Sequence, residues 1–328
     1  MYVMISIVIP AYNAEGTLGA CLDSLEKQSI PREEYEIIVV DDGSSDSTSC
    51  AARAYSSLVI KQAHQGSAAA RNHGAEVARG DILLFTDADC VPMPDWLERM
   101  LECFADPDVV GVKGTYRTLQ RGLVPRFVQQ EFEEKYDRTR CSHSIDFVDA
   151  YSAAYRRDVF RLVGGFDEGF RQAEDIELSY RLAALGYRMV FQPKAVVYHN
   201  HAESVVAYVR KKFWSACWRS RAYRRFPSKM LRDSTTPGIL YIQMPLAALM
   251  LASAVGAPIW SEAVLALLGA GLGFVVSTAP FVARSWTRDR AAAAAAPLLL
   301  LARAFALSAG LGAGILGSAW TKLFYQAV

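Results

Sequence analysis

Apolar residues in the first hundred positions come in short runs, separated by stretches with helical spacing. Residues 3–9 are nearly all apolar and rich in β-branched side chains, as a buried strand requires. Residues 15–29 read as a helix with Leu18, Cys21, Leu22 and Leu25 on one face. The pattern predicts a strand over 37–40, a helix over 47–56, a short strand at 59–60 and a helix over 68–79. A strand over 82–85 and a helix over 95–104 follow. Alternating strands and helices imply an α/β fold with a mostly parallel sheet and helices on both faces. Two predicted strands run directly into acidic turns, Asp41-Asp42-Gly43-Ser44 and Thr86-Asp87-Ala88-Asp89. In open α/β sheets that is where ligands bind, beyond the carboxyl ends of the strands. Residues 105–200 continue less regularly, with a turn at Gly164-Gly165-Phe166-Asp167, a helix over 174–185 closed by Gly186, and an extended stretch over 189–198.

From Gly238 the pattern changes. Residues 238–260 and 263–283 carry no charge, and 291–320 contain only Arg303. A membrane span needs about 20 apolar residues, so the first two runs are strong candidates. The third holds an Arg at mid-span, which costs on the order of 3 kcal/mol on insertion scales. It is either a third span with Arg303 facing other helices or a re-entrant or interfacial segment. The division expected is a catalytic domain over 1–204, a basic aromatic juxtamembrane segment over 205–237, and a membrane domain over 238–328 with two or three helices.

Charge sharpens this division. The net formal charge is +1, but residues 1–207 hold 21 Lys and Arg against 31 Asp and Glu, and residues 208–328 hold 14 against 3. Nine of those cations fall between Arg210 and Arg232, interleaved with Trp214, Trp218, Tyr223 and Phe226. Val206, Val209, Phe213 and Cys217 share a helical face, so the segment suits an anionic membrane surface. Nucleic acid is a weaker reading of the same residues and no such partner is expected. The positive-inside rule places residues 1–237 and 284–290 in the cytosol, giving a multi-pass protein of the inner (cytoplasmic) membrane. The six cysteines show no CxxC spacing, which speaks against a zinc ribbon and for reduced thiols.

The two acidic turns place carboxylates around one crevice. Carboxylate oxygens suit a hard divalent cation, Mg²⁺ or Mn²⁺, that would also hold a diphosphate. Either turn alone is equally well explained by Asp in turns and caps; the two together at one sheet edge are harder to explain so. Glu174-Asp175 opens a predicted helix, where carboxylates also serve the dipole. His199 and His201 would share one face of an extended segment.

Val8-Ile9-Pro10-Ala11-Tyr12-Asn13, Val40-Asp41-Asp42-Gly43-Ser44, Gly66-Ser67-Ala68-Ala69-Ala70-Arg71-Asn72 and Phe85-Thr86-Asp87-Ala88-Asp89 resemble, in order and spacing, the family 2 glycosyltransferases with a GT-A fold. Gly164-Gly165-Phe166-Asp167-Glu168 and Glu174-Asp175 resemble that family's acceptor-side loop and catalytic acidic pair, so the likeness covers residues 3–200. It implies a nucleotide-sugar donor pocket lined by Pro10, Ala11 and Tyr12, with Asp41 or Asp42 on the base or ribose. Asp87 would lie near ribose and metal, Asp89 would ligate the metal, and Arg71 would approach the diphosphate. His199 or His201 would complete the metal site. Asp175, ahead of Glu174, would be the general base of an inverting transfer.

Two departures narrow the reading. The QxxRW motif of processive synthases is missing, and Asp89 is followed by Cys90-Val91-Pro92 rather than the Gln common in polyprenyl-phosphate sugar synthases. The expectation is a membrane-anchored, metal-dependent, non-processive inverting transferase, moving a sugar to a lipid-linked or cell-envelope glycan acceptor. A polyprenyl-phosphate sugar synthase and a non-catalytic membrane scaffold are the alternatives. Nothing in the sequence fixes the oligomeric state.

Overall fold

The computed structural model describes residues 4–316 apart from 56, 141, 231, 232 and 235. Cys141, Arg232 and the end of the third apolar run therefore lie outside the described residues. The chain forms two compact units, residues 1–119 with 136–200, and residues 120–135 with 201–328.

The first unit begins with β1 (Ile5–Ala11), α1 (Leu18–Leu25), β2 (Tyr35–Asp41), α2 (Thr48–Arg53), β3 (Leu58–Lys61), α3 (Ser67–Val77) and β4 (Ile82–Thr86). It continues through β5 (Val91–Pro92), α4 (Trp96–Glu102) and β6 (Val109–Arg117). Helix α5 (Leu123–Thr139) is divided between the units, its last turn belonging to the first. Then come β7 (Ser152–Arg156), α6 (Arg157–Leu162), α7 (Glu174–Ala184) and β8 (Arg188–Tyr198). The eight strands make one sheet in the order β3-β2-β1-β4-β7-β6-β8-β5. The first four run parallel; β7 is antiparallel to β4 and β6, β8 is parallel to β6, and β5 is antiparallel to β8. Short apolar strands pair in parallel because helices carry the chain back between them.

Val8, Ile38, Val40, Leu83 and Phe85 pack with Ala70 and Ala75 of α3 and with Leu178 and Leu182 of α7. The alternate residues Ile7, Ile9, Ile37, Val39 and Leu84 are equally buried, so both faces of the sheet are covered. That double burial is why the strands read as continuous apolar runs. The register sets Ala11 opposite Asp41 and brings the carboxyl ends of β1, β2 and β4 to one edge.

The second unit holds residues 120–135 with α8 (Val205–Arg225), α9 (Leu240–Gly256), α10 (Ser261–Trp286) and α11 (Arg290–Leu316). Helices α10 and α11, with 26 and 27 residues, are long and apolar enough to cross a membrane. Helix α9, expected as a full span, has 17 residues, about 25 Å at 1.5 Å per residue. Its core joins Val124, Phe127 and Val128 of α5 to Ala247, Phe274, Phe281, Ala292, Ala296 and Leu300.

One turn couples this fold to the site. Asn72 of α3 donates from Nδ2 to the Phe166 carbonyl oxygen (2.9 Å) and accepts the Phe166 amide at Oδ1 (2.9 Å). Gly165 has φ +66°, and a Cβ there would lie 2.6 Å from Asn72 Oδ1. Gly165→Ala meets both a left-handed backbone and that overlap, so it should destabilise the protein by about 1–3 kcal/mol. A melting temperature equal to that of the parent would remove the turn from this role.

Candidate active site

At the ends of β1 and β2 the chain makes a polar shelf. The Asp42 amide donates to the Ala11 carbonyl oxygen, 2.8 Å. Asp41 turns inward, accepting the Ser44 amide (2.9 Å) and the Ser49 hydroxyl, with Lys61 Nζ at 3.7 Å. These donors hold its carboxyl below the usual range against the opposing effect of burial. Asp42 accepts the Gln65 and Gly66 amides (2.9 and 2.8 Å) and Gln62 Nε2 (2.8 Å), and lies 2.9 Å from His64 Nδ1. Both carboxylates therefore organise turns, the role that strand-end Asp plays in many folds. Pro10 is half-buried and Ala11 buried, while Tyr12 is 51% exposed, its ring centroid 4.2 Å from that of His64. His64 is a site residue that sequence reasoning missed; its place in a polar loop marked it only as loop.

The second cluster lies at the end of β4. Arg71, buried on α3, donates from Nη2 to Asp87 Oδ1 (2.7 Å) and from Nη1 to Glu174 Oε1 (2.6 Å). Glu174 also accepts from Ser67 Oγ, 3.0 Å. Residues 16 and 103 positions from Arg71 are thus joined by one guanidinium. The resemblance aims Arg71 at a diphosphate; in the structure it lies between the two acidic motifs, with Phe166 5.6 Å away beneath it.

Asp89 is exposed at the same strand end, its Oδ2 2.9 Å from His199 Nε2. His201, the other histidine considered, belongs to the second unit, where its ring stacks on Phe132 (5.3 Å) and meets Gln129 Oε1 at 3.1 Å. Ligand atoms of Asp89, Cys90 and His199 lie within 4.8 Å of one another. Burial and the Asp87 and Asp89 charges push the Cys90 thiol up. The Asp89 carboxylate and the His199 imidazole facing it fit a divalent cation.

Asp175 is the second residue of α7, half-buried, accepting its neighbour Ile176's amide (2.8 Å). Desolvation, then the Glu174 and Asp149 carboxylates, push its pKa up to about 7. Asp149 is ion-paired with the buried Lys113, whose Nζ sits 4.6 Å from the Phe147 ring. This pair was also missed. Its signal was a lone Lys in the otherwise apolar 109–116 run.

Residues 6–164 match the family described as Glycosyl transferase family 2. The chain carries a family 2 glycosyltransferase domain. It is 30% identical over 207 residues to the glycosyltransferase AglE of Haloferax volcanii, covering 60% of this chain and 66% of AglE. It is 30% identical over 218 residues to the pre-mycofactocin glycosyltransferase of Mycobacterium tuberculosis, covering 63% of this chain but 45% of that protein. The fold resembles the mannosyltransferase PcManGT of Pyrobaculum calidifontis in complex with GDP-Man and Mn²⁺, with TM-score 0.64, 22% identity, and coverage of 96% of this chain and 88% of that one. This family 2 domain has the GT-A fold, built on its mixed sheet.

Removing the cation that joins Asp87 to Glu174 leaves a buried carboxylate unpaired. Arg71→Gln should cost about 3–5 kcal/mol. Arg71→Lys, unable to fork, should recover only part of that in thermal melts. A fully stable Arg71→Gln variant would show that the bridge does not hold the site together.

Proposed function

We propose that this family 2 enzyme is a membrane-anchored, metal-dependent, inverting and non-processive glycosyltransferase. Its donor is a nucleotide-diphosphate sugar and its acceptor a lipid-linked or cell-envelope glycan. The observation that carries this is the Arg71 bridge, which sets Glu174-Asp175 beside the strand end bearing Asp87 and Asp89.

The exposed ring of Tyr12, packed against His64, offers a face on which a nucleobase can stack, with Pro10, Ala11, Asp41 and Asp42 at the adjoining strand ends. Asp89 and His199, with Asp87 alongside, would hold the Mn²⁺ or Mg²⁺. That ion, when bound, neutralises charge on the leaving diphosphate. Asp175 accepts the proton of the acceptor hydroxyl as its oxygen attacks the anomeric carbon. One C–O bond forms while the bond to the diphosphate breaks on the opposite face, and the nucleoside diphosphate departs with the bonding pair. A base near pKa 7 is ionised in about half of the molecules at neutral pH, which suits this role.

The long apolar helices α10 and α11 and the basic α8 support anchoring. The reading places residues 1–237 in the cytosol and the chain in the inner (cytoplasmic) membrane as a multi-pass protein, with lipids met through residues 205–237. Catalytic domain 1–204, juxtamembrane segment 205–237 and membrane domain 238–328 are the functional parts.

The test is a panel of UDP-, GDP- and dTDP-sugars with purified protein and Mn²⁺. Asp175→Asn should lose 10²–10⁴-fold in turnover while binding donor and metal as the parent does. Asp89→Asn should lose both. Retained turnover in Asp175→Asn, or product of unchanged anomeric configuration, would overturn the mechanism.

Activity should rise with pH on an acidic limb near 7, because only ionised Asp175 takes the proton. Asp149→Asn removes a negative neighbour, lowers the Asp175 pKa and should move that limb to lower pH. A limb unmoved, or moved upward, in a pH–rate profile would sever Asp149 from Asp175.

A further inference from the structure

Helices α9 and α10 form an antiparallel hairpin whose two halves differ. Near its base, Ala247 of α9 and Phe274 and Phe281 of α10 are buried with α11 residues Ala292, Ala296, Leu299, Leu300 and Ala304. Towards its tip no residue from 257 to 269 is buried, and Ile259, Trp260, Leu265 and Leu268 are each more than half exposed. An apolar surface of this extent on one hairpin tip calls for a lipid environment.

Helix α11 does not follow the hairpin to that tip. Further along, its buried positions Gly310 and Gly314 turn to α8. A Cβ at Gly310 would overlap the Phe213 carbonyl oxygen, and one at Gly314 would lie 2.6 Å from the Cys217 carbonyl oxygen. Four residues along α11 match four along α8, so the two helices run parallel with their backbones in close approach. The crossover point is polar. Arg303 donates to Glu131 Oε1 (2.8 Å) and to Gln243 Oε1 (2.9 Å), and Lys212 Nζ lies 3.0 Å from Glu131 Oε2.

Along its length α8 presents Arg210, Lys211, Arg221, Arg224 and Arg225, all exposed. Placing five such cations in hydrocarbon is prohibitively costly. At headgroup level the same cations are attracted to anionic lipid. Helix α8 therefore lies at the headgroups, and a helix packed parallel along it shares its depth.

We infer that α11, despite its length and hydropathy, does not cross the membrane but lies with α8 among anionic lipid headgroups, leaving the α9–α10 hairpin as the only crossing element among the described residues. The inference rests on the anchored reading given under Proposed function. It makes an even number of crossings and returns the chain after α11 to the side of the loop between α10 and α11.

The experiment uses the full chain with a protease-sensitive epitope placed singly between 260 and 261, between 287 and 288, or after 328. Each tagged protein is digested in sealed inside-out and right-side-out vesicles. The tags at 287 and after 328 should be cleaved from one side and the tag at 260 from the other. A tag after 328 cleaved from the same side as the one at 260 means that α11 crosses, and overturns the inference. Release of the untagged chain from membranes by alkaline carbonate would instead overturn the anchored reading itself. Tags at 260 and 287 cleaved from one side would overturn the crossing hairpin.

Discussion

The catalytic unit depends on one guanidinium. Arg71 forks between Asp87 and Glu174, which reach it from a strand end and a helix start. A buried Arg without partners would be untenable, and so would a buried Glu174; each makes the other admissible. The planar fork matters because a point charge on Lys cannot meet two carboxylates from different elements in fixed geometry. With that bridge closed, Asn72 on the next residue of α3 grips the Gly165-Phe166 turn and reaches Glu168, so one turn of one helix sets the position of this loop.

The acidic groups around this bridge are pushed in different directions by their surroundings. Asp41 is held low by hydroxyl and amide donors. Asp175, partly enclosed and flanked by Glu174 and Asp149, is pushed up to about 7. The carboxylates at these strand and helix ends thereby divide into those that keep turns in shape and one whose surroundings favour its protonated form. Asp89, exposed and facing an imidazole nitrogen, belongs to neither group and has the surroundings of a metal ligand.

The helical unit rests on a different device. Apolar helices pack with many near-equivalent registers, and a buried polar network selects among them. Glu131, Lys212, Gln243 and Arg303 come from four helices and meet at one point. Arg284–Glu134 and Arg126–Asp289 pair the loop side of the same unit. The Arg that weakens a third membrane span in the sequence is, in the structure, the residue that ties α11 to α5 and α9.

Apolar runs of β-branched residues, two of them closed by Asp-rich turns, were enough to predict β1, β2 and β4, the helices between them and the sheet edge to which their carboxyl ends come. Local pattern suffices there because parallel strands buried on both faces cannot be anything but apolar. Charge asymmetry and uncharged runs likewise marked the change at Gly238. The sequence could not show that β7 joins β4 antiparallel, that residues 120–135 fold with the C-terminal helices, or that His199 and His201 part company. Nor could it show that Arg71 serves two carboxylates, that Lys113 and Asp149 sit behind Asp175, or that α11 turns from the hairpin to α8. Each of these is a contact between residues far apart in the chain. Burial, partner choice and proton affinity are properties of such contacts, and they exist only once the tertiary structure has brought the groups together.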